Sequence, residues 1–218
     1  MKIQNYVLIF LLIAFIQLVN AKVIASNNLT EALSQVEPGD TIELKTGPYK
    51  DVPYRLKNGT SGKPIKIKSA PNSYVDIIGK PYYCIFEDDY IHDVIFEGPM
   101  VLRNALCGFR FGYSSNINIT GIAIYNMRRQ SFLMLGNNFT IFNNIIKECV
   151  LENKEIEKSQ RRGLYQYKCI SIWNTNQVNI ISNIISNSYG ASVELLFCQF
   201  GIISENEIKK WAFCQSIY

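Results

Sequence analysis

The chain has 218 residues, with 22 basic and 18 acidic side chains and a net charge of +4. That charge is too small for a nucleic-acid binder, and 48% hydrophobic against 18% charged residues excludes a disordered chain and allows a sizeable core. From residue 22 onward there are 27 Ile against 12 Leu, with 19 Asn. This β-branched excess, broken up by a turn former, points to strands joined by tight turns.

The N-terminus predicts export. Lys2 precedes an apolar run from Tyr6 to Val19, interrupted by Gln17, and Val19-Asn20-Ala21 offers short residues at a cleavage point. A basic start, a short apolar core and a small-residue cut site make residues 1–21 a secretory signal. The run is shorter than the roughly 20 residues of a membrane anchor. The domain is therefore expected over residues 22–218, extracellular and free of the membrane once the signal is removed. Asn28-Leu29-Thr30, Asn58-Gly59-Thr60, Asn118-Ile119-Thr120 and Asn138-Phe139-Thr140 are N-glycosylation triplets. Six cysteines (84, 107, 149, 169, 198 and 214) are compatible with three disulfides, and none forms a C-x-x-C pair.

Next in the chain, Asn28 is placed to cap a short helix with Leu29, Ala32, Leu33 and Val36 on one face, stopped by Pro38-Gly39. Beyond it the chain repeats. Val94, Ile117, Phe139, Val178 and Gly201 start equivalent segments, at intervals of 23, 22, 39 and 23. Two residues on stand Phe96, Ile119, Ile141, Ile180 and Ile203; seven on stand Val101, Ile124, Ile146, Ile185 and Ile208. Five on from the last three starts come Asn144, Asn183 and Asn206, expected at bends in the left-handed conformation. The long interval holds a polar insertion of about 17 residues, roughly 151–168. One such unit cannot bury its own apolar face, so successive copies must stack, with strands about 4.8 Å apart in parallel register. Cys84 and Cys107 share one phase of the repeat, 23 residues apart. A spacing of about 4.8 Å suits a disulfide between them.

A second strand column precedes each start, with Phe86/Asp88, Phe109/Phe111, Ser131/Leu133, Ile170/Ile172 and Val193/Leu195 expected inward. By alternation, Glu87, Arg110, Phe132, Ser171 and Glu194 would face out, beside Asp89, Gly112, Met134, Trp173 and Leu196. At the C-terminal end, Trp211, Phe213 and Tyr218 bring no polar cap. That predicts an incomplete solenoid, or self-association through the uncapped last rung.

The segments 117–124, 139–146, 178–185 and 201–208 resemble the repeating unit of right-handed parallel β-helix proteins, the pectate-lyase-like superfamily. Residues 38–49 and 59–65 resemble the opening of secreted chondroitinase-B-like and alginate-lyase-like polysaccharide lyases. The resemblance implies an all-β, right-handed parallel β-helix of about 22–23-residue rungs behind a short N-terminal capping helix. It also implies that the outward face of the second column lines a cleft for an acidic polysaccharide. Lyases of this superfamily use Lys or Arg as base, often with Ca²⁺ held by carboxylates.

Those positions discriminate among chemistries. A glycosidase needs two carboxyls about 5–9.5 Å apart, whereas Glu87 and Glu194 lie four steps apart, about 19 Å. His92 is the only histidine, so Ser-His-Asp and Cys-His catalysis have little support. A β-eliminating lyase needs a base and a cation for the uronate carboxylate. Arg110 and Lys168 are the candidates, with Glu194 the acid on the same face. Glu87-Asp88-Asp89 offers oxygens to Ca²⁺, the one candidate cofactor, although the Glu pair of metal-dependent lyases and the pectate-lyase Arg motif are absent. A surface ion pair between Glu87 and Arg110 is the simpler account of those charges. Trp173, with Met134 and Leu196, would offer a sugar platform unless the insertion folds over it. Arg161 and Arg162 are candidate contacts for an anionic glycan. The alternative to a lyase is a non-catalytic extracellular β-helix that binds glycans or serves a structural role.

Overall fold

From residue 86 onward each coil of the chain has three short strands, before it one or two, and the strands of successive coils lie side by side in parallel. The computed structural model describes residues 21–151, 168–188 and 192–211. The signal segment up to residue 20, the insertion from 152 to 167 with Arg161 and Arg162, and Phe213, Cys214 and Tyr218 lie outside the described residues. Face A comprises β6 (Phe86–Asp89), residues 109–112 of β8 (Phe109–Met127), 132–135 of β9 (Phe132–Phe142), β11 (Ile170–Trp173) and β14 (Val193–Leu196). Face B runs from β1 (Val23–Ser26) through β2 (Thr41–Leu44), β4 (Ile65–Ser69), 94–97 of β7 (His92–Ala105) and the middle of β8. It continues through the end of β9 to β12 (Val178–Ile181) and β15 (Gly201–Ser204). Face C stacks β3 (Gly47–Tyr49), β5 (Val75–Ile78), the ends of β7 and β8, β10 (Ile145–Lys147), β13 (Ile184–Ser188) and β16 (Glu207–Trp211). The result is the expected parallel β-helix.

The helix α1 (Leu29–Gln35) packs on β1 and β2 at the start of the stack. Asn28 caps it, its Oδ1 accepting from the Glu31 amide at 3.1 Å, and Leu29, Ala32, Leu33 and Val36 are buried. Here the sequence pattern and the structure agree residue for residue.

The register of face B also agrees: Val94, Ile117, Phe139, Val178 and Gly201 are direct neighbours, and Ile65 extends the column one coil earlier. Two positions differ by one residue. On face C the inward partner of Ile124 is Leu102 rather than Val101, because β7 spends three steps from Glu97 to Met100 where β8 spends two. On face A the inward residues of the third coil are Phe132 and Met134, not Ser131 and Leu133. There β9 takes one residue fewer than β8 to turn the corner, between Met134 and Gly136. Leu133 and Leu135 therefore stand on the outer surface, where Phe132 and Met134 were expected.

Two kinds of stack fill the interior. Aromatic rings rise through the coils from Tyr54 to Phe86, Phe109 and Phe132, with successive centroids 5.7, 5.2 and 5.4 Å apart, and Phe96 wedges between Phe86 and Phe109. Each such side chain contributes about 1.5–3 kcal/mol by burial alone. At the bend between faces B and C, Asn144, Asn183 and Asn206 form a ladder. Asn183 Oδ1 accepts from the amide and side chain of Asn144, while Asn183 Nδ2 donates to the Ile141 carbonyl at 2.9 Å. The left-handed conformation expected of these three falls instead on the residues before them, Asn143, Ser182 and Glu205, with φ of 53, 55 and 56°. The preceding residue turns the chain, which leaves the ladder asparagine free to point inward. In the last described coil the inward Ile203 and Ile208 are 49% and 39% exposed, whereas Ile180 and Ile185 beside them are fully buried.

Cys84 and Cys107 are bridged across adjacent coils, with Cα atoms 4.4 Å apart, and a second bridge joins Cys149 to Cys169. Cys198 is unbridged among the described residues, and burial raises its thiol pKa.

Asn183→Ala should lower unfolding stability by upwards of about 2 kcal/mol in urea titrations, since it strands a buried amide and a buried carbonyl. Replacing Cys84 and Cys107 together by Ala should cost about 3 kcal/mol by release of a one-coil loop. Peptide mapping of the non-reduced protein should recover both bridges.

Candidate groove on the outer surface of face A

Alternation along each strand sets what face A shows to solvent. Glu87, Arg110, Leu133, Ser171 and Glu194 are successive outward register partners, although Ser171 itself is buried, and beside them run Asp89, Gly112, Leu135, Trp173 and Leu196. The four-step separation of Glu87 and Glu194 is as expected, and it places these two carboxyls too far apart for a glycosidase pair. In the middle of the face, Arg110, Gly112, Leu133, Leu135 and Trp173 line an open groove of about 180 Å³. Its floor is apolar where the one-residue difference brings Leu133 and Leu135 outward.

Charges sit at the ends of this floor. Arg110 Nη1 lies 3.2 Å from Glu87 Oε1 and 3.9 Å from Asp89 Oδ1. This is the surface ion pair that the sequence allowed. Glycine at 112 is what admits the Asp89 carboxylate, because a Cβ there would collide with Asp89 Oδ1. At the other end, Glu194 Oε2 accepts from Ser171 Oγ and from Trp173 Nε1, both at 3.4 Å. Trp173 remains 40% exposed. Arg110 and Glu194 are three steps apart, about 14 Å.

Lys168 is not on the groove floor. It precedes Cys169 and β11, three residues before Ser171, at the edge where the chain enters face A. Arg110, Lys168 and Glu194 thus share one face without converging on a single point. The entering edge carries further cations that sequence patterning did not single out. Lys80, Leu106, Arg129 and Val150 form a backbone ladder through the turn before face A, and Arg128 lies over the Tyr82 ring at 5.6 Å. Lys80 and Arg129 come two coils apart in that ladder, so with Arg128 and Lys168 they bring four cations to the entering edge, against Glu148 two residues before Val150. The signal for it lay in the phase of these residues within the coil.

The Glu87-Asp88-Asp89 triplet does not fit a calcium site. Asp88 Oδ2 accepts from the Leu56 amide and Oδ1 from the Asp89 amide, while Glu87 and Asp89 turn toward Arg110. Among the described residues no group of three or more His, Cys, Asp or Glu is placed to hold a metal. His92 lies at the start of β7 with Nδ1 2.9 Å from Asp93 Oδ2, away from the groove. The four glycosylation asparagines all lie at the surface; Asn58 accepts from the His92 amide and Asn138 donates to Asn116.

The fold is a parallel β-helix, and over part of its length the chain is similar to polysaccharide lyases of that architecture. Residues 23–111 match the family model of Chondroitinase B, a span that includes Glu87, Asp89 and Arg110 but neither Trp173 nor Glu194. Among solved structures, the crystal structure of alginate lyase from Paenibacillus sp. str. FPU-7 superposes with a TM-score of 0.59 at 16% identity, covering 78% of this chain and 68% of that one. A provisionally assigned glycosyl hydrolase from Parabacteroides merdae ATCC 43184 gives a TM-score of 0.49 at 10% identity, covering 82% and 88%. No curated protein sequence matches the chain.

Since the Arg110 pair lies partly exposed at the surface, Arg110→Ala should change unfolding stability by no more than about 1 kcal/mol. A urea midpoint close to that of the parent protein would make this variant a clean probe of the groove.

Proposed function

We propose that this protein is a secreted β-helix that binds an acidic polysaccharide in the groove of face A. The observation that carries the reading is the juxtaposition of an apolar floor, Leu133, Leu135 and half-exposed Trp173, with a basic entering edge built from Lys80, Arg128, Arg129 and Lys168. The floor suits the C–H face of a sugar, and the edge suits its carboxylates. Residues 1–21 are its export signal, and the two disulfides fit an oxidising compartment. Arg161 and Arg162 of the insertion are further candidate contacts for the anionic chain.

A second reading, β-elimination, is favoured by the Chondroitinase B match over residues 23–111, which contains Arg110. In that reaction a base removes the proton α to the uronate carboxylate, the electron pair forms a C=C bond, and the glycosidic C–O bond breaks as the leaving oxygen gains a proton. Lys168 is the candidate base, Arg110 the cation that steadies the carboxylate, and Glu194 the acid along the same face. The separation of these three groups favours binding as the primary reading.

Incubation with pectate, alginate, chondroitin sulfate and dermatan sulfate, with and without calcium, separates the two. Binding without ultraviolet absorbance from new C=C bonds, weakened by Trp173→Ala, is the expected result. A rise in absorbance on one polymer, abolished by Lys168→Ala or Arg110→Ala, would establish the lyase instead. No binding to any of the four would overturn both.

A further inference from the structure

The corner where the chain leaves face A carries a feature that neither the groove floor nor the ion pair accounts for. Tyr90 follows Asp89 and Tyr113 follows Gly112, one coil apart. Their rings stack on each other, 5.4 Å between centroids at 14°, while remaining 67% and 65% exposed. Both residues are in the left-handed conformation, with φ of 61 and 49°. A bulky side chain there meets steric resistance that Gly or Asn avoids. The same corner in later coils holds Gly136, Asn174 and the exposed Phe197, so the turn itself does not call for a ring, and only at Tyr90 and Tyr113 do rings of adjacent coils stack. Two tyrosines therefore occupy strained backbone positions with most of their ring surface in water.

We propose that Tyr90 and Tyr113 form a stacking subsite for the apolar face of an uncharged pyranose unit; this rests on reading face A as a glycan groove. The stacked pair offers an extended π surface of the kind that C–H bonds of a sugar cover. The charges beside it select the unit. Glu87 and Asp89 already neutralise Arg110, Arg55 donates to the Glu87 carbonyl, and Asp88 adds a third carboxylate, so acids outnumber bases three to two here and this corner accepts hydrogen bonds from hydroxyls and disfavours a carboxylate. Further basic groups, Lys80, Arg128, Arg129 and Lys168, lie toward the opposite, entering edge of the face. A chain alternating charged and uncharged sugars matches both edges; an all-uronate chain matches only one.

The test is titration calorimetry with an unsulfated chondroitin hexasaccharide and an alginate hexamer. The proteins are the parent, Tyr90→Asn/Tyr113→Asn, Tyr90→Phe/Tyr113→Phe and Trp173→Ala. Asn is at ease in the left-handed conformation, so the Asn pair should melt no lower than the parent. Chondroitin binding should weaken roughly threefold to tenfold in the Asn pair and persist in the Phe pair. Alginate should bind the parent more weakly and be little affected. Parent-like chondroitin binding by the Asn pair, with loss in Trp173→Ala, would overturn the subsite and leave the groove reading standing. Equal weakening toward both glycans would overturn the choice of an uncharged unit. Failure of the parent to bind either glycan would overturn the groove reading and the subsite together.

Discussion

A coil of 22 or 23 residues can bury its apolar side chains only if each inward position lands over the same position in the coil below. Parallel hydrogen bonding enforces that alignment strand by strand, and a slip of one residue would turn an entire inward set toward water. Face B carries the register with the fewest interruptions, from Ile65 through Val94, Ile117, Phe139 and Val178 to Gly201. Because faces A and C are tied to it within the same coils, irregularities at one corner are absorbed there and do not propagate.

The corners do this work through two different residues. One adopts positive φ and turns the chain; the next can then direct its side chain inward, as Asn144, Asn183 and Asn206 do. Their ladder satisfies backbone groups that a sharp bend would otherwise bury unpaired. Where face A passes into face B, the positive-φ residue projects outward instead, so the same backbone device that seals one corner displays side chains at another.

Much of this was legible in the sequence. The period, the strand phases on face B, the Asn28 cap and the Cys84–Cys107 bridge follow from spacing, because stacking converts sequence interval directly into spatial neighbourhood. The errors arose where that conversion fails. Counting back eight residues from Phe139 assumes corners of equal length, and the shorter corner at Gly136 displaced Phe132 and Met134 by one. That single residue changes the groove floor from Phe132 and Met134 to Leu133 and Leu135. The charged residues were harder to read. Arg110 pairs with Glu87 by register, but the basic edge depends on turn geometry that alternation does not describe, and Lys168 shares the face without reaching the floor.

The Cys149–Cys169 bridge gives the insertion an unusual standing. Its two ends are fastened with Cα atoms 5.8 Å apart. Val150 donates to the Arg129 carbonyl just before the excursion, and the Cys169 carbonyl accepts from Ser131 and Phe132 just after it. The two flanks of the insertion are thus held to each other by the bridge and to the neighbouring coil by these hydrogen bonds. Were the peptide chain of that segment cut, the bridge would still keep the coils on either side covalently connected. The bridge thus turns the insertion into a loop hung between two covalently joined points, a socket in which new sequence can be held by the solenoid rather than holding it together.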